Sequence, residues 1–352
     1  MTTLRVSPTT GSTPAAGPHP GTSRRRRPGL RSAVGVLTSP KHGPVIVTAV
    51  LFVVMFGIGG TLYEGFLSPQ VFANLLVDNA FLLVLAVGMT FVILSGGIDL
   101  SVGAVLALST VIAARLLQAG TGPVLTMLVV LVVASFLGLL VGLMIEVFGV
   151  QPFIATLAAM FLARGLCYVI APQAISIDDP LFTAVASAQV PVLPGVTVSP
   201  GALIALLVVA VAFVVLRSTR FGRTVYALGG SETSAALMGL AVDRTKVAVY
   251  VISGFCSGLA GLLFSFYTLS GYSLTAIGTE LDAIAAVVIG GTLLTGGYGF
   301  VLGSVLGVLV LGTIQTIITF QGTLSSWWTR IFIGVLLLVF IILQKLLTTR
   351  RR

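Results

Sequence analysis

The sequence predicts an all-α polytopic membrane protein, and three observations carry that expectation. Of the 352 residues, 57% are hydrophobic and 8% charged, with a mean hydropathy of +1.12, whereas about a quarter of a soluble domain is charged. From residue 44 onward the chain divides into apolar runs of roughly the 17 to 25 residues that a spanning helix needs. The basic residues are also sorted along the chain: residues 1–43, 217–246 and 345–352 hold seven, five and four of the 19 Lys and Arg. The long stretch 172–200, which contains Asp178 and Asp179, holds none. Such asymmetry is the positive-inside signal, and it places both termini in the cytoplasm.

Residues 1–43 are rich in Pro, Gly, Ser and Thr and carry Arg24 to Arg27 and Arg31 without an apolar run, so they are expected to form a disordered, basic cytoplasmic tail. The arginines read as an orienting and lipid-contacting charge, not as a nucleic-acid site. Ten transmembrane segments follow, some broken or short: 44–63, 71–94, 101–117, 123–146, 152–171, 201–216, 247–268, 283–296, 298–320 and 328–346. Together they make one transmembrane domain over 44–346, and 347–352 form a basic cytoplasmic end. Cys167 and Cys256 lie within apolar runs and read as small hydrophobes. Arg115 and Arg330 can snorkel from helix ends, whereas Arg164, near mid-span, needs an acceptor or an aqueous path.

Three stretches interrupt the apolar pattern. The first, Ser95-Gly96-Gly97-Ile98-Asp99-Leu100-Ser101, places an acid and two helix-breaking glycines between two apolar runs. An ionised carboxylate at membrane depth is costly and normally faces protein or a water-filled path, as does irregular backbone. The second lies in the 217–246 connection. Gly229 and Gly230 read as a flexible approach, Ser231 as an N-cap, Glu232 as a first-turn acid, Ala235 and Ala236 as helix formers and Gly239 as a left-handed C-cap. A helix of about two turns results, suited either to a partner's groove or to the lipid surface. The third, residues 280–299, has Glu280 and Asp282 ahead of the pairs Gly290-Gly291 and Gly296-Gly297, which suit close packing or an interrupted helix.

Catalysis is not expected. His19 and His42 lie outside the apolar region, no cluster has metal-ligand spacing, and no glycine-rich run ends in Gly-Lys-Ser/Thr as a phosphate loop would. A secondary transporter remains an alternative, with a buried acid such as Asp99, Glu146 or Asp282 coupling transport to proton or ion flux without a partner.

Residues 91–103 (FVILSGGIDLSVG), 225–240 (VYALGGSETSAALMGL) and 280–299 (ELDAIAAVVIGGTLLTGGYG) resemble the signatures of the membrane permeases of sugar ABC importers, the ribose, arabinose and xylose group. The resemblance implies a coupling helix that contacts an ATPase, carried here by Gly229, Gly230, Glu232, Ala235, Ala236 and Gly239. Thr233 and Ser234 depart from the pattern. It further implies a monosaccharide substrate, an extracytoplasmic binding protein, a partner ATPase holding ATP and Mg, no cofactor in this chain and a place in the bacterial inner membrane. Residues 77–103, 280–297 and 320–334 are similar to a galactofuranose importer permease, which implies a second, homologous permease as partner. Asp78, Asn79, Ser95, Gly96, Gly97, Asp99, Asp282, Gln315 and Trp327 are the expected lining of the translocation path. Trp327 and Trp328 read either as an interfacial anchor or as part of the entry route.

Overall fold

A long apolar helix with a glycine every few turns can sit at the centre of a bundle, because small residues let neighbouring backbones approach closely where lipid offers no hydrophobic drive for helix association. Val242–Thr268 is that helix. In the computed structural model, which describes residues 43–323 and 327–349, it packs chiefly against Ala80–Leu94, Val102–Gln118 and Pro123–Glu146 and is one of fourteen helices among those residues. In order these are α1 (Gly43–Leu62), α2 (Pro69–Asp78), α3 (Ala80–Leu94), α4 (Val102–Gln118), α5 (Pro123–Glu146), α6 (Pro152–Ile170), α7 (Pro180–Ser187), α8 (Pro200–Ser218), α9 (Arg220–Gly230) and α10 (Glu232–Leu237), then the central α11, α12 (Thr279–Ile289), α13 (Val301–Gln321) and α14 (Trp327–Thr349). Two small antiparallel pairings decorate one end: β2 (Val190–Leu193) with β3 (Val196–Val198), and β1 (Ile175–Ser176) with β4 (Ser270–Gly271).

Among the described residues, six helices are long and apolar enough to cross a membrane: α1, α5, α6, α8, α11 and α13. The helices α2 and α3 meet the same criterion only when taken together and are bent by 59° at their junction, the geometry of a broken span or a re-entrant loop. The expected continuous helix 71–94 is therefore broken, and the reason is local. Asn79 at the break donates its side-chain amide to the Leu75 carbonyl at 2.9 Å, competing with the helical backbone. Val102–Gln118 and Trp327–Ile342 are shorter apolar helices. The expected segment 283–296 is an 11-residue helix, α12, that starts four residues earlier and ends at Ile289, where Gly290 and Gly291 hand over to irregular chain. The last helix runs on to Thr349, past the expected boundary at residue 346. The basic tail, Leu324 to Ser326 and the final three residues fall outside the described residues.

Packing around α11 uses glycine on both sides. A Cβ at Gly254 would lie 3.1 Å from the Gly138 Cα of α5, and one at Gly88 of α3 would lie 2.8 Å from the Cys256 Cβ. Fully buried Leu85, Met89, Ile93 and Leu94 show why α3 is apolar on every face: it is enclosed by other helices. The faces carrying Leu128 and Val132 on α5, Leu207 and Val211 on α8, and Leu338 on α14 are exposed and apolar, as lipid contact requires.

Candidate functional site

The first glycine break closes on itself. After α3 ends, Gly96 turns the chain at φ +86°, and the amides of Gly96 and Gly97 return to the Ile93 and Val92 carbonyls at 2.9 and 3.0 Å. The chain then brings Asp99 to the start of α4, where its charge suits the helix dipole. The residue is only 3% exposed. Oδ1 accepts from the Ser101 amide (2.9 Å) and hydroxyl (2.6 Å), and Oδ2 accepts from the Ser253 hydroxyl of α11 (2.6 Å). Asp99 thus fastens the break to the central helix. Gly97 leaves room for the Tyr250 ring on the same side.

The connection 217–246 departs from the expected flexible approach. Gly229 and Gly230 are the last two residues of α9, in regular helix. The short helix α10 follows, with the Ser231 hydroxyl accepting from the Ser234 amide at 3.2 Å as its N-cap. Gly239 is left-handed, φ +73°, as the sequence predicts. Ala235 is buried on a small cluster with Leu228 and Val242, while Leu237 and Met238 are 85% and 67% exposed. Lys246 of α11 pairs with Glu232 and, at 3.2 Å, with Glu146 at the end of α5. The helix is therefore anchored to the bundle by one face and presents apolar side chains on the other.

All three interrupting motifs meet below α10. Gly229 packs so closely that a Cβ would overlap the Leu94 carbonyl oxygen and the Gly297 nitrogen. The Gly297 amide donates to that same Leu94 carbonyl at 2.9 Å. A Cβ at Gly296 would lie 2.7 Å from the Gly96 nitrogen and 3.0 Å from the Gly229 Cα. The end of α3, the end of α9 and the loop after α12 therefore touch backbone to backbone, with no side chain between them. Such a contact can transmit displacement from α10 to both broken helices, because a packed backbone has nothing to absorb it.

The remaining sequence-selected residues do not form one site. Asp78 and Asn79 lie at the α2–α3 bend, where the Tyr267 hydroxyl reaches Asp78 at 3.4 Å. Ser95 donates to the Val92 carbonyl at 2.8 Å, within the first break. Gln315 is exposed on α13. Asp282 is in the first turn of α12, and Trp327 is 72% exposed with the Arg330 guanidinium 5.8 Å over its ring. Arg330 in turn donates to the Ile277 carbonyl at 3.0 Å. Arg164 meets its need for an acceptor by donating to the Ser273 and Thr275 carbonyls at 2.6 and 2.8 Å. Sequence reasoning left Lys246 as one more basic residue and missed its bridging role, although its position between two acids in space has no linear signature.

A family profile described as the permease component of the branched-chain amino acid transport system matches residues 71–341. The chain is 47% identical over 306 residues to the inner membrane ABC transporter permease protein YjfF of Escherichia coli, covering 87% of this chain and 92% of the relative. It is 41% identical to the fructose import permease protein FruG of Bifidobacterium longum (86% and 90% covered) and 37% identical to the ribose import permease protein RbsC of Bacillus subtilis (87% and 92%). No solved structure matches it significantly. The bundle of apolar helices and the similarity over most of its length make this chain a multi-pass inner-membrane protein that belongs to the ABC-transporter permease family.

Proposed function

We propose that this chain is the membrane-spanning permease subunit of a binding-protein-dependent ABC importer for a monosaccharide. The observation that carries the coupling role is the backbone junction at Gly229, which links the exposed face of α10 to the ends of two broken helices. Arg217, Arg220, Arg223, Arg244 and Lys246 all belong to the 217–246 connection, and the positive-inside rule supports a cytoplasmic side for it and for both basic termini. The opposite end, with β1 to β4 and α7, then faces the binding protein. A partner ATPase holds ATP and Mg and docks on Leu237 and Met238. Its binding energy shifts the permease between inward-open and outward-open states by no more than its preference for one over the other.

The sugar class is supported by the relatives named for fructose and ribose import. Within that class we propose galactofuranose or another five-membered-ring form, on the resemblance of residues 77–103, 280–297 and 320–334. The same resemblance supports a second, homologous permease as partner. Reconstitution tests the whole reading. Uptake in proteoliposomes is expected to need the ATPase, ATP and the binding protein; accumulation by the chain alone under a proton or sodium gradient would sink it in favour of secondary transport. A functional complex with two copies of this chain and no second permease would remove the heterodimer alone.

A further inference from the structure

We propose that a cavity between α6 and the start of α12 is a weak monosaccharide site within the membrane, with Arg164 and Glu280 as its polar groups and Phe161 and Tyr168 as its apolar walls. The inference rests on the sugar-importer reading and names residues for it. With Phe161, Tyr168, Leu274 and Ile277 exposed along its rim, the cavity is an open groove of about 240 Å³. That is small beside the roughly 300 to 1,000 Å³ of pockets for drug-sized ligands, and it suits one sugar ring.

Its chemistry is unusual for membrane depth. Arg164 is six residues from the end of α6, on the order of 9 Å along the helix. One terminal nitrogen is committed to the Ser273 and Thr275 carbonyls, and the other side-chain nitrogens have no acceptor among the described residues. The Glu280 carboxylate accepts no hydrogen bond among the described residues and makes no ion pair with Arg164; its Oε2 packs against Gly103 of α4, while the residue lines the same space as Arg164. Opposite charges held apart leave a gap that a neutral polyol can bridge, since each hydroxyl both donates and accepts. An anion would meet Glu280 and a cation Arg164, so neither is favoured. The exposed rings of Phe161 and Tyr168 offer faces to the C–H surface of a sugar. Charged groups in this setting belong beside a water-filled route, not lipid.

The cavity is also mechanically placed. Glu280 is in the first turn of α12, and the chain leaving the other end of that helix reaches the Gly229 junction with Gly296 and Gly297. Movement of α10 therefore has a direct backbone route to one wall of the site.

The test uses the permease assembled with its ATPase and binding protein in proteoliposomes. Ile277→Cys, which places a thiol in the cavity wall, is combined with Cys167→Ser and Cys256→Ser and labelled with a water-soluble methanethiosulfonate. Labelling is expected to slow with D-ribose, D-fructose or D-galactose and to be unaffected by L-leucine. Protection by none of the sugars, or by leucine as well as by sugar, overturns the site, and this readout needs no ATP-driven uptake. In parallel, Glu280→Gln and Tyr168→Ala complexes that assemble normally by size-exclusion chromatography are expected to lose about tenfold in maximal uptake rate, with the half-saturating sugar concentration unchanged because the binding protein sets it. Parental uptake rates in both variants overturn the site. Failure of the parental complex to take up any sugar would instead defeat the importer reading.

Discussion

The two glycine breaks of this bundle do the same topological job by opposite means. The break after α3 is closed by side chains: Asp99 gathers three hydrogen-bond donors from its own loop and from α11, and Tyr250 fills the space beside Gly97. The break after α12 is closed by backbone. Gly290 abuts Gly303 of α13, and Gly296 and Gly297 abut Gly96, Gly229 and Gly230. A break of the first kind is sensitive to hydrogen-bonding capacity and tolerant of small shape changes. A break of the second kind is sensitive to a single methyl group.

The largest expected effect is therefore at Gly229. Gly229→Val forces apart the α3 end and the α12 loop, and it should abolish uptake and impair assembly, checked by transport and size-exclusion chromatography. Gly229→Ala should act in the same direction. The neighbouring Gly230, with nothing within 4 Å of a Cβ, sharpens the comparison: Gly230→Ala should transport at close to the parental rate. Equal effects at the two glycines would show that the junction is not where the motion passes.

Asp99 tests the other break. Asp99→Leu strands the Ser101 and Ser253 donors, each costing about 1 to 3 kcal/mol when buried and unmet. Asp99→Asn keeps an acceptor and the side-chain size. Thermal unfolding in detergent should place Asn well above Leu, and uptake should follow the same order. A Leu variant as stable and as active as the parent would remove Asp99 from both the scaffold and the path.

Smaller effects belong to the docking helix. Gly239→Val places a β-branched residue at φ +73°, a strain of about 1 to 2 kcal/mol, in open space where no steric clash adds to it. Glu232→Lys breaks the exposed pair with Lys246 and should cost under about 1 kcal/mol of stability. Both variants should reach the membrane in normal amount, measured by immunoblot, and show reduced sugar uptake per ATP hydrolysed. Unchanged coupling in both would exclude α10 from the docking role.

The local features of α10 were legible in sequence because they are made by neighbours along the chain: Ser231 caps Ser234, and Gly239 turns the end. Gly229 and Gly230 read in sequence as a flexible approach but are regular helix, for an instructive reason. Glycine lowers helix propensity by up to about 1 kcal/mol relative to Ala, and the sequence alone cannot show that α9 extends through both so that one of them can seat against Leu94. Arg164 was flagged as needing an acceptor, yet its carbonyl partners lie 109 and 111 residues away.

By itself the sequence determined the membrane class, the positions of the apolar runs, the three interrupting motifs and the cap of α10. Each follows from composition or from interactions within a few residues, which folding in lipid does not rearrange. Only the tertiary structure decided that Asn79 bends a span, that Asp99 fastens two helices, that Arg164 and Glu280 share a cavity, and that the three motifs meet at Gly229. Those outcomes depend on which helices are neighbours. Packing between backbones without intervening side chains leaves only glycine as its trace, and glycine reads the same whether it bends, loosens or joins.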